Sequence, residues 1–169
     1  ASVGAGTVLE LGDANEEVPA WPSIRMLADP DHAMRIEDVR RRLAEFQPPK
    51  APANNLGPRA ESIWLYLPLE VSGGDGRWVF DIDYPTLQRA DLFLISDGRL
   101  VLERRMGSEL PYGQRAIASR THAIELALAP SVRHEIFLRV RTSTSMVLPI
   151  ELSKPGRFQS REAAVQLHQ

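Results

Sequence analysis

Apolar and polar residues alternate with a period of two from residue 62 onward, most clearly between residues 62 and 71. One face of this segment is aliphatic and the other is mixed, the first carrying Ile63, Leu65, Leu67, Leu69 and Val71 and the second Ser62, Trp64, Tyr66 and Glu70. Strict alternation is typical of a half-buried strand, whose successive side chains point to opposite faces of a sheet. We therefore expect the aliphatic face to lie in the core and the two aromatic side chains to point outward.

Further alternating segments follow, separated by turn signals about every ten residues. Asp97-Gly98 lies between residues 91–96 and 99–103, which predicts a hairpin whose two-residue turn needs positive φ. The glycine-rich stretch 72–76 predicts an earlier hairpin, between strands at 62–71 and 77–83. The remaining predicted strands are 116–129, 135–142 and 145–152. Since Pro149 lacks a backbone donor, the last of these should be an edge strand or locally irregular.

The chain before residue 62 shows a different pattern. Short strands are predicted at 8–11 and 24–28. Apolar residues then fall at helical spacing, which predicts one short amphipathic helix near residues 36–46, built on Ile36, Val39, Leu43 and Phe46. Residues 50–59 are rich in Pro, Ala, Asn and Gly, which indicates a loop.

The pattern divides the chain into three regions. Residues 1–23 are a lead-in with one short strand, residues 24–158 are the main domain, and residues 159–169 are a polar tail whose composition is compatible with a helix leading onward. Seven or eight short strands with little helix predict an all-β sandwich of two antiparallel sheets. The lack of crossover helices excludes a parallel α/β sheet.

Composition narrows the function classes. The 169 residues are 43% hydrophobic and 25% charged, which is enough for one soluble domain with a sizeable core. The formal net charge of -2 provides no basic field, so nucleic acid is not an expected partner. The longest apolar run, Ile63–Leu69, is far shorter than the roughly 20 residues of a membrane span. With no cysteine, disulfides and zinc–thiolate sites are excluded.

Candidate catalytic groups are sparse, so we expect no enzyme activity, no cofactor and no metal. The histidines are scattered without ligand spacing, at His32, His122, His134 and His168. Asp81 and Asp83 face the same side of a predicted strand and could form a carboxylate pair or a calcium ligand set. Polar residues on the solvent face of a strand are the more frequent explanation. A carbohydrate-active enzyme using this pair is a remote alternative.

The pattern supports ligand binding better than catalysis. If the aliphatic face of 62–71 fills the core, Trp64 and Tyr66 stand side by side on the opposite surface. An exposed aromatic pair forms a stacking platform for sugars and other polar small molecules. The alternative is that this face is covered by a loop, by the helix at 36–46 or by a second subunit.

The basic residues are unusual because 18 of the 20 are arginines. Arg139 and Arg141 are two residues apart and therefore share one strand face, while Arg115 lies just before a predicted strand. Paired guanidinium groups suit a carboxylate ligand. They would also suit an ion pair within the chain, with Asp81, Asp83 or Glu103 as the partner, and surface ion pairing is the more frequent outcome.

Short motifs follow one another in a characteristic order along the chain. The first half contains Leu27-Ala28-Asp29-Pro30-Asp31, Phe46-Gln47-Pro48, Asn55-Leu56-Gly57 and Ser62-Ile63-Trp64-Leu65. The second half contains Trp78–Asp83, Tyr84-Pro85, Leu87–Leu94, Gly107–Arg115, Phe137–Val140 and Ser143–Pro149. This order, from about Ile24 to Phe158, resembles the second type of extracellular sensor domain of bacterial seven-transmembrane receptors with diverse intracellular signalling modules.

The resemblance implies a jelly-roll sandwich similar to carbohydrate-binding modules and exported to the periplasm. It also implies that a seven-helix membrane region follows the domain and that an output module, such as a diguanylate cyclase or a histidine kinase, lies beyond the membrane. Membrane association would then come only through those following helices.

The sequence thus predicts a periplasmic, non-catalytic input domain that binds a small polar ligand. Carbohydrate is the favoured class by analogy of fold, and an amino acid or other carboxylate comes next because of the arginines. The predicted ligand-binding residues are Trp64, Tyr66, Asp81, Asp83, Arg115, Arg139 and Arg141. The alternative is an interaction module that forms homodimers, or binds another protein, without a small ligand.

Overall fold

Two β-sheets face each other in the computed structural model, which describes residues 7–50, 54–111 and 121–167. The larger sheet contains six strands: β1 (Leu9–Leu11), β3 (Arg25–Asp29), β5 (Ser62–Val71), β7 (Arg89–Ser96), β8 (Arg99–Met106) and β10 (His134–Arg141). The smaller sheet contains four: β2 (Glu17–Pro19), β6 (Arg77–Ile82), β9 (His122–Ala127) and β12 (Ile150–Ser153). A separate ribbon pairs β4 (Asn55–Pro58) with β11 (Ser145–Val147). The predicted all-β sandwich is confirmed.

Two α-helices accompany the sheets: α1 (Ile36–Arg41), continued by a 3₁₀ turn at Leu43–Glu45, and α2 (Pro155–Leu167). A further 3₁₀ turn, Trp21–Ser23, precedes β3. Acidic residues in the first turn of α1 and basic residues in its last turn match the helix dipole. The helix predicted near 36–46 is thus present as a short α-helix and a 3₁₀ turn, and the polar tail is helical.

Strand order in the larger sheet is β1-β5-β10-β7-β8, with β3 also paired to β5. The smaller sheet runs β2-β12-β6-β9. Neighbouring strands are antiparallel except β1 and β5, which are parallel. The hairpin at Asp97-Gly98 is confirmed, because β7 pairs with β8 and both turn residues have positive φ, 51° and 78°.

The main core lies between the two sheets. The aliphatic face of β5 is buried there, as its alternation predicts, and it packs in one cluster with Trp78 and Phe80 of β6. A second apolar cluster lies on the other face of the larger sheet, beneath α1. The molecule therefore has three layers at this point, because one face of the larger sheet packs against the smaller sheet and the other against a helix.

Two local predictions are wrong. The hairpin predicted across residues 72–76 is absent, since β5 and β6 belong to opposite sheets and the glycine-rich stretch crosses between them. Gly76 makes that crossing possible, because it has φ +73° and a Cβ there would lie 2.7 Å from the carbonyl oxygen of Leu128. The loop predicted at 50–59 contains strand β4.

Pro149 lies between β11 and β12, so the predicted segment 145–152 is two strands with an irregular break, as expected for this residue. The first part of the segment joins the ribbon, and the second part lies inside the smaller sheet between β2 and β6. A proline without a backbone donor thus marks the point where the chain changes sheets.

Candidate functional site

The two aromatic residues of the predicted stacking platform are buried. Trp64 is 0% exposed and Tyr66 is 1% exposed. Trp64 stacks on Phe93 with ring centroids 5.6 Å apart, and Tyr66 packs against Phe137 at 5.0 Å. Phe46, which follows the 3₁₀ turn after α1, packs on Tyr66. The prediction that these rings are exposed is wrong, and the alternative that the helix region at 36–46 covers them is correct.

The physical reason is that the outward face of β5 carries two large aromatic rings, Trp64 and Tyr66, in its middle, and apolar side chains of α1 cover them. Ile36 and Val39 of α1 bury their side chains on this face, so it serves as a second core rather than as a surface. The hydroxyl of Tyr66 reaches the edge of this cluster and donates a hydrogen bond to Glu135. Burial, followed by this contact, raises the pKa of Tyr66 to about 12.

Asp81 and Asp83 do not form an open carboxylate pair. Asp81 is 1% exposed on the outer face of the smaller sheet, beneath α2, whereas Asp83 is exposed just beyond the end of β6. Asp81 accepts a hydrogen bond from Nη2 of Arg161 in α2 at 3.1 Å. In the described part of the chain, no group of three or more His, Asp or Glu side chains could hold a metal ion.

Arg161 joins Asp81 to two further carboxylates, and we call Glu17, Asp81, Glu151 and Arg161 the acidic clamp. Nη1 of Arg161 contacts Glu17 at 2.5 Å and Glu151 at 3.0 Å. Burial raises the pKa of Asp81 to about 6. Burial and the hydrogen bond to Glu17 raise the pKa of Glu151 to about 7, while hydrogen bonds, first that with Glu151, lower the pKa of Glu17 to about 2. The sequence alone gave no signal for this cluster, because its members come from four separate elements.

Arg139 forms an ion pair with Asp91, not with any of the three acidic residues expected from the sequence. Its Nε and Nη2 donate to the same oxygen, Asp91 Oδ2, at 3.1 Å and 2.9 Å. The guanidinium also lies over the ring of Trp64, 5.3 Å from its centroid. The partner was missed because β7 and β10 are adjacent only in the folded sheet, where Arg139 and Asp91 are directly opposite.

Asp91 is shared by two more arginines. Arg89 lies 3.2 Å from Oδ2 and Arg105 lies 3.4 Å from Oδ1. The Asp91 side chain is 7% exposed, whereas the three arginine side chains are partly exposed. One nearly buried carboxylate therefore holds three guanidinium groups, which come from β7, β8 and β10.

A pocket of about 130 Å³ opens beside this cluster. We call it the arginine pocket, and its lining residues are His32, Ser62, Arg89, Asp91, Arg139 and Arg141. Arg139 and Arg141 are thus brought together as the sequence predicted. Among these six residues, Asp91 is the only carboxylate.

Arg141 is the unusual member of the pocket. Its Cα partner across the β7–β10 ladder is Arg89, so two like charges are directly opposite each other. Such pairs destabilise a sheet unless something else neutralises them. Arg89 turns to Asp91, whereas Arg141 is exposed and has no ion-pair or hydrogen-bond partner among the described residues.

His32 and Ser62 form the uncharged side of the arginine pocket. Nδ1 of His32 is 2.6 Å from Oγ of Ser62. His32 has φ 55°, an uncommon conformation for a non-glycine residue, and follows the turn begun by Asp29. The carboxylate of Asp29 accepts hydrogen bonds from the backbone N–H groups of Ala33 and Met34 and so fixes this turn. The Asp29-Pro30-Asp31 signal marked the turn in the sequence, but not its position beside β10.

A larger groove of about 750 Å³ lies at the other end of β5, lined by Pro68–Ser72, Ser131–His134 and Val8. Its lining contains one acidic and one basic residue, Glu70 and Arg133. Both ring nitrogens of His134 have partners within the protein, Ser96 and the carbonyl of Ala129. The groove therefore lacks the charge imbalance that distinguishes the arginine pocket. Arg115, the remaining predicted site residue, lies outside the described residues.

Residues 22–154 match the 7TMR-DISM extracellular 2 family, which is most of the chain. The chain belongs to this family. It is therefore an extracellular sensor domain of a receptor, from a family that is in general not catalytic. None of the helices in the described part of the chain has the length and hydropathy needed to cross a membrane.

Two glycosidases are among the solved structures that the chain matches distantly. A GH31 α-xylosidase from Xanthomonas citri shares 18% identity over 78% of this chain and 15% of its own, with a TM-score of 0.31. A β-glucosidase from Kluyveromyces marxianus, in complex with glucose, shares 12% identity over 90% of this chain and 19% of its own, with a TM-score of 0.38. The chain thus spans less than a fifth of either enzyme, and such TM-scores carry no functional argument. No curated protein matches the chain.

Proposed function

We propose that this domain is the periplasmic, ligand-sensing input of a transmembrane signalling receptor, and that it binds a small, negatively charged ligand in the arginine pocket without catalysis. The observation that carries the proposal is Arg141, which lies directly opposite Arg89 and has no ion-pair or hydrogen-bond partner in the described part of the chain. The output module is expected to be a diguanylate cyclase or a histidine kinase, as the family resemblance implies.

The placement of Arg141 has an electrostatic cost that a ligand would remove. Two arginines across a ladder repel each other, and natural sequences depart from local rules of this kind mainly at functional sites. The planar fork of a guanidinium suits a carboxylate or phosphate group because two parallel N–H donors meet two oxygens. An anion between Arg89 and Arg141 would convert the repulsion into two attractive contacts.

The same observations rank an anion ahead of carbohydrate. Binding of sugar by a sheet surface depends on exposed aromatic rings, and Trp64 and Tyr66 are both buried beneath α1. The ring of Trp64 instead supports the guanidinium of Arg139 from below. We therefore favour a carboxylate or similar anion over carbohydrate.

Calorimetric titration of the purified domain tests this proposal. We expect small carboxylates or phosphate to bind, glucose and other neutral sugars to give no heat, and Arg141→Gln to weaken anion binding at least about tenfold, because one charge-assisted contact is lost. Arg104→Gln is the matched control, since Arg104 is exposed on β8 and does not line the pocket. Equal anion binding by wild type and Arg141→Gln, or binding of sugars alone, would overturn the proposal.

A second candidate function, homodimerisation, is favoured by the edge strand β8. Leu100 and Val101 are among the few large apolar side chains exposed in the described chain, and β8 is the last strand of its sheet. If two copies paired antiparallel about Val101, Arg99 of each would oppose Glu103 of the other. Light scattering of wild type and Val101→Asp tests this function: loss of a dimer in the variant supports it, and a wild-type monomer at all concentrations excludes it.

A further inference from the structure

The charges around the arginine pocket do not balance. The lining of the pocket contains three guanidinium groups, from Arg89, Arg139 and Arg141, and one carboxylate, from Asp91. The formal excess is therefore two positive charges. Arg105 and Glu103 of β8 lie outside the lining, and their opposite charges leave this excess unchanged.

Of the carboxylates close in the chain to His32 and Ser62, Asp31 is exposed and does not line the pocket, and the other two have partners. The two oxygens of Asp29 accept the backbone N–H groups of Ala33 and Met34. Glu61, which precedes Ser62, forms an ion pair with Arg59 at 2.8 Å. Neither carboxylate is placed to neutralise Arg141, so the positive charge is a property of the pocket in the folded protein.

We propose that the arginine pocket selects a small dianion, either two carboxylates on a short carbon chain or a phosphate group, over a ligand with one negative charge. This inference rests on the proposed function, because it specifies the ligand of the same pocket. One charged group lies between Arg141 and Arg89. The second lies beside the partly exposed guanidinium of Arg139, whose Nε and Nη2 donate to Asp91 and whose Nη1 donates to the carbonyl oxygen of Met34. The attraction there is therefore between charges and does not need an unoccupied pair of donors.

The volume of the pocket limits the size of the ligand. About 130 Å³ corresponds to about four water molecules at the volume that each occupies in the liquid, about 30 Å³. Sites for drug-sized ligands begin at about 300 Å³. The pocket therefore suits a compact dianion. Its uncharged side is the imidazole of His32, whose Nδ1 is hydrogen-bonded to the buried hydroxyl of Ser62.

A ligand series of nearly constant shape separates charge from size. Succinate, succinamate and succinamide carry two, one and no negative charges on the same carbon chain, and inorganic phosphate provides the other dianion. Titration of the domain at slightly alkaline pH should give succinate or phosphate an affinity at least about tenfold above that of succinamate, because each charge meets a separate guanidinium. Succinamide should not bind. If succinate binds more tightly than phosphate, the ligand class is a dicarboxylate, and if phosphate binds more tightly, it is a phosphate group.

Two variants test whether the preference for the dianion arises in the arginine pocket. In Arg141→Gln, the advantage of succinate over succinamate should fall to about twofold or less, whereas Arg104→Gln should preserve it. Circular dichroism and thermal melting establish that both variants are folded. Higher salt should weaken dianion binding more than monoanion binding.

Two outcomes would contradict this inference, and they differ in what they imply for the proposed function. In the first, succinamate binds as tightly as succinate and phosphate, and Arg141→Gln weakens the binding of all three. The pocket then binds anions without preferring two charges over one, so this inference fails while the proposed function stands. If none of these anions binds wild type, or if Arg141→Gln changes nothing, the proposed function fails and this inference fails with it.

Discussion

The outer faces of the two sheets carry charge clusters of opposite composition. On the larger sheet, three arginines contact Asp91 and a fourth, Arg141, lines the pocket beside it. On the smaller sheet, three carboxylates contact Arg161. The acidic clamp is closed, because α2 lies over it and supplies the cation itself. The arginine pocket is open, because α1 covers only the neighbouring aromatic cluster. The three carboxylates of the clamp all contact one arginine of the covering helix and so hold the fold together, whereas the pocket leaves Arg141 open to a ligand.

The clusters also differ in the groups that titrate. The charged groups that line the pocket are mainly guanidinium groups, whereas those of the clamp are mainly carboxylates. In the clamp, burial raises the pKa of Asp81 to about 6 and that of Glu151 to about 7, so its charge changes near neutrality. Substitution of Asp91 or Arg161, a change of pH and substitution of Arg141 should therefore change the stability of the domain by different amounts and in different directions.

The largest effect is expected from Asp91→Asn. Removing this carboxylate leaves three arginines without their common partner, and breaking a buried ion pair of this type costs about 2–4 kcal/mol when the partners are partly exposed. Urea unfolding measures the loss in free energy of unfolding. Asp31→Asn is the control, because Asp31 is exposed and should change stability by less than about 0.5 kcal/mol. Equal stability of both variants would show that Asp91 does not organise the cluster.

Arg161→Gln should have the next largest effect. The variant leaves buried Asp81 without its cation and removes the contacts to Glu17 and Glu151, for an expected loss of about 1–3 kcal/mol. Limited proteolysis and hydrogen exchange should show α2 opening before the sheets. Arg157→Gln is the matched control, since Arg157 is on the same helix, is more exposed and contacts Glu17 alone. Its effect should be clearly smaller.

Stability should rise as pH falls from about 8 to about 5. The raised pKa values of Glu151 and Asp81 mean that the folded state binds more protons than the unfolded state in this range. Asp83 and Glu162 contribute to the raised pKa of Asp81, whereas Arg161 opposes it. Below about 4.5 the trend should reverse, because the stabilising charge of Glu17, whose pKa is lowered to about 2, is lost as that group is protonated.

Urea unfolding at a series of pH values tests whether the free energy of unfolding rises as the pH falls. Glu151→Gln should flatten the rise between pH 8 and pH 5, because the neutral amide resembles the protonated acid. Glu125→Gln should preserve the rise, since Glu125 pairs with Arg77 and lies outside the clamp. A wild-type stability that falls steadily from pH 8 to pH 5 would contradict the role given to the clamp.

The smallest effect, and the one with opposite sign, is expected from Arg141→Gln. Removing one of two opposed like charges should stabilise the unliganded domain by about 0.2–1 kcal/mol while weakening anion binding. Thermal melting with and without succinate gives both quantities. Arg104→Gln should alter neither. If Arg141→Gln destabilises the domain instead, Arg141 has a structural role and the comparison with the clamp fails.

Much of the fold was predictable because its signals are local. The alternation of β5 fixed which side chains share a face, and the Asp97-Gly98 dipeptide fixed a hairpin, since only a few turn geometries accept those residues. The helical spacing at 36–46 and the break at Pro149 are local in the same sense. The order of short motifs also sufficed to identify the family.

The candidate site was predictable only in part. Arg139 and Arg141 were placed together correctly, because residues two apart on a strand share a face. Their partners on β7 could not be found, because Asp91 lies 48 residues from Arg139 in the chain and adjacency of strands is a property of the whole sheet. His32 was missed for the same reason, although the turn before it was recognised.

The sequence by itself determined where most of the strands and helices lie and which side chains of each strand point the same way, because the geometry of the backbone imposes those periods on any chain. Only the tertiary structure decided which faces are covered. It placed α1 over Trp64 and Tyr66, α2 over Asp81, and nothing among the described residues over Arg141. Burial depends on the packing of distant segments, and alternation along one strand carries no information about what lies above it.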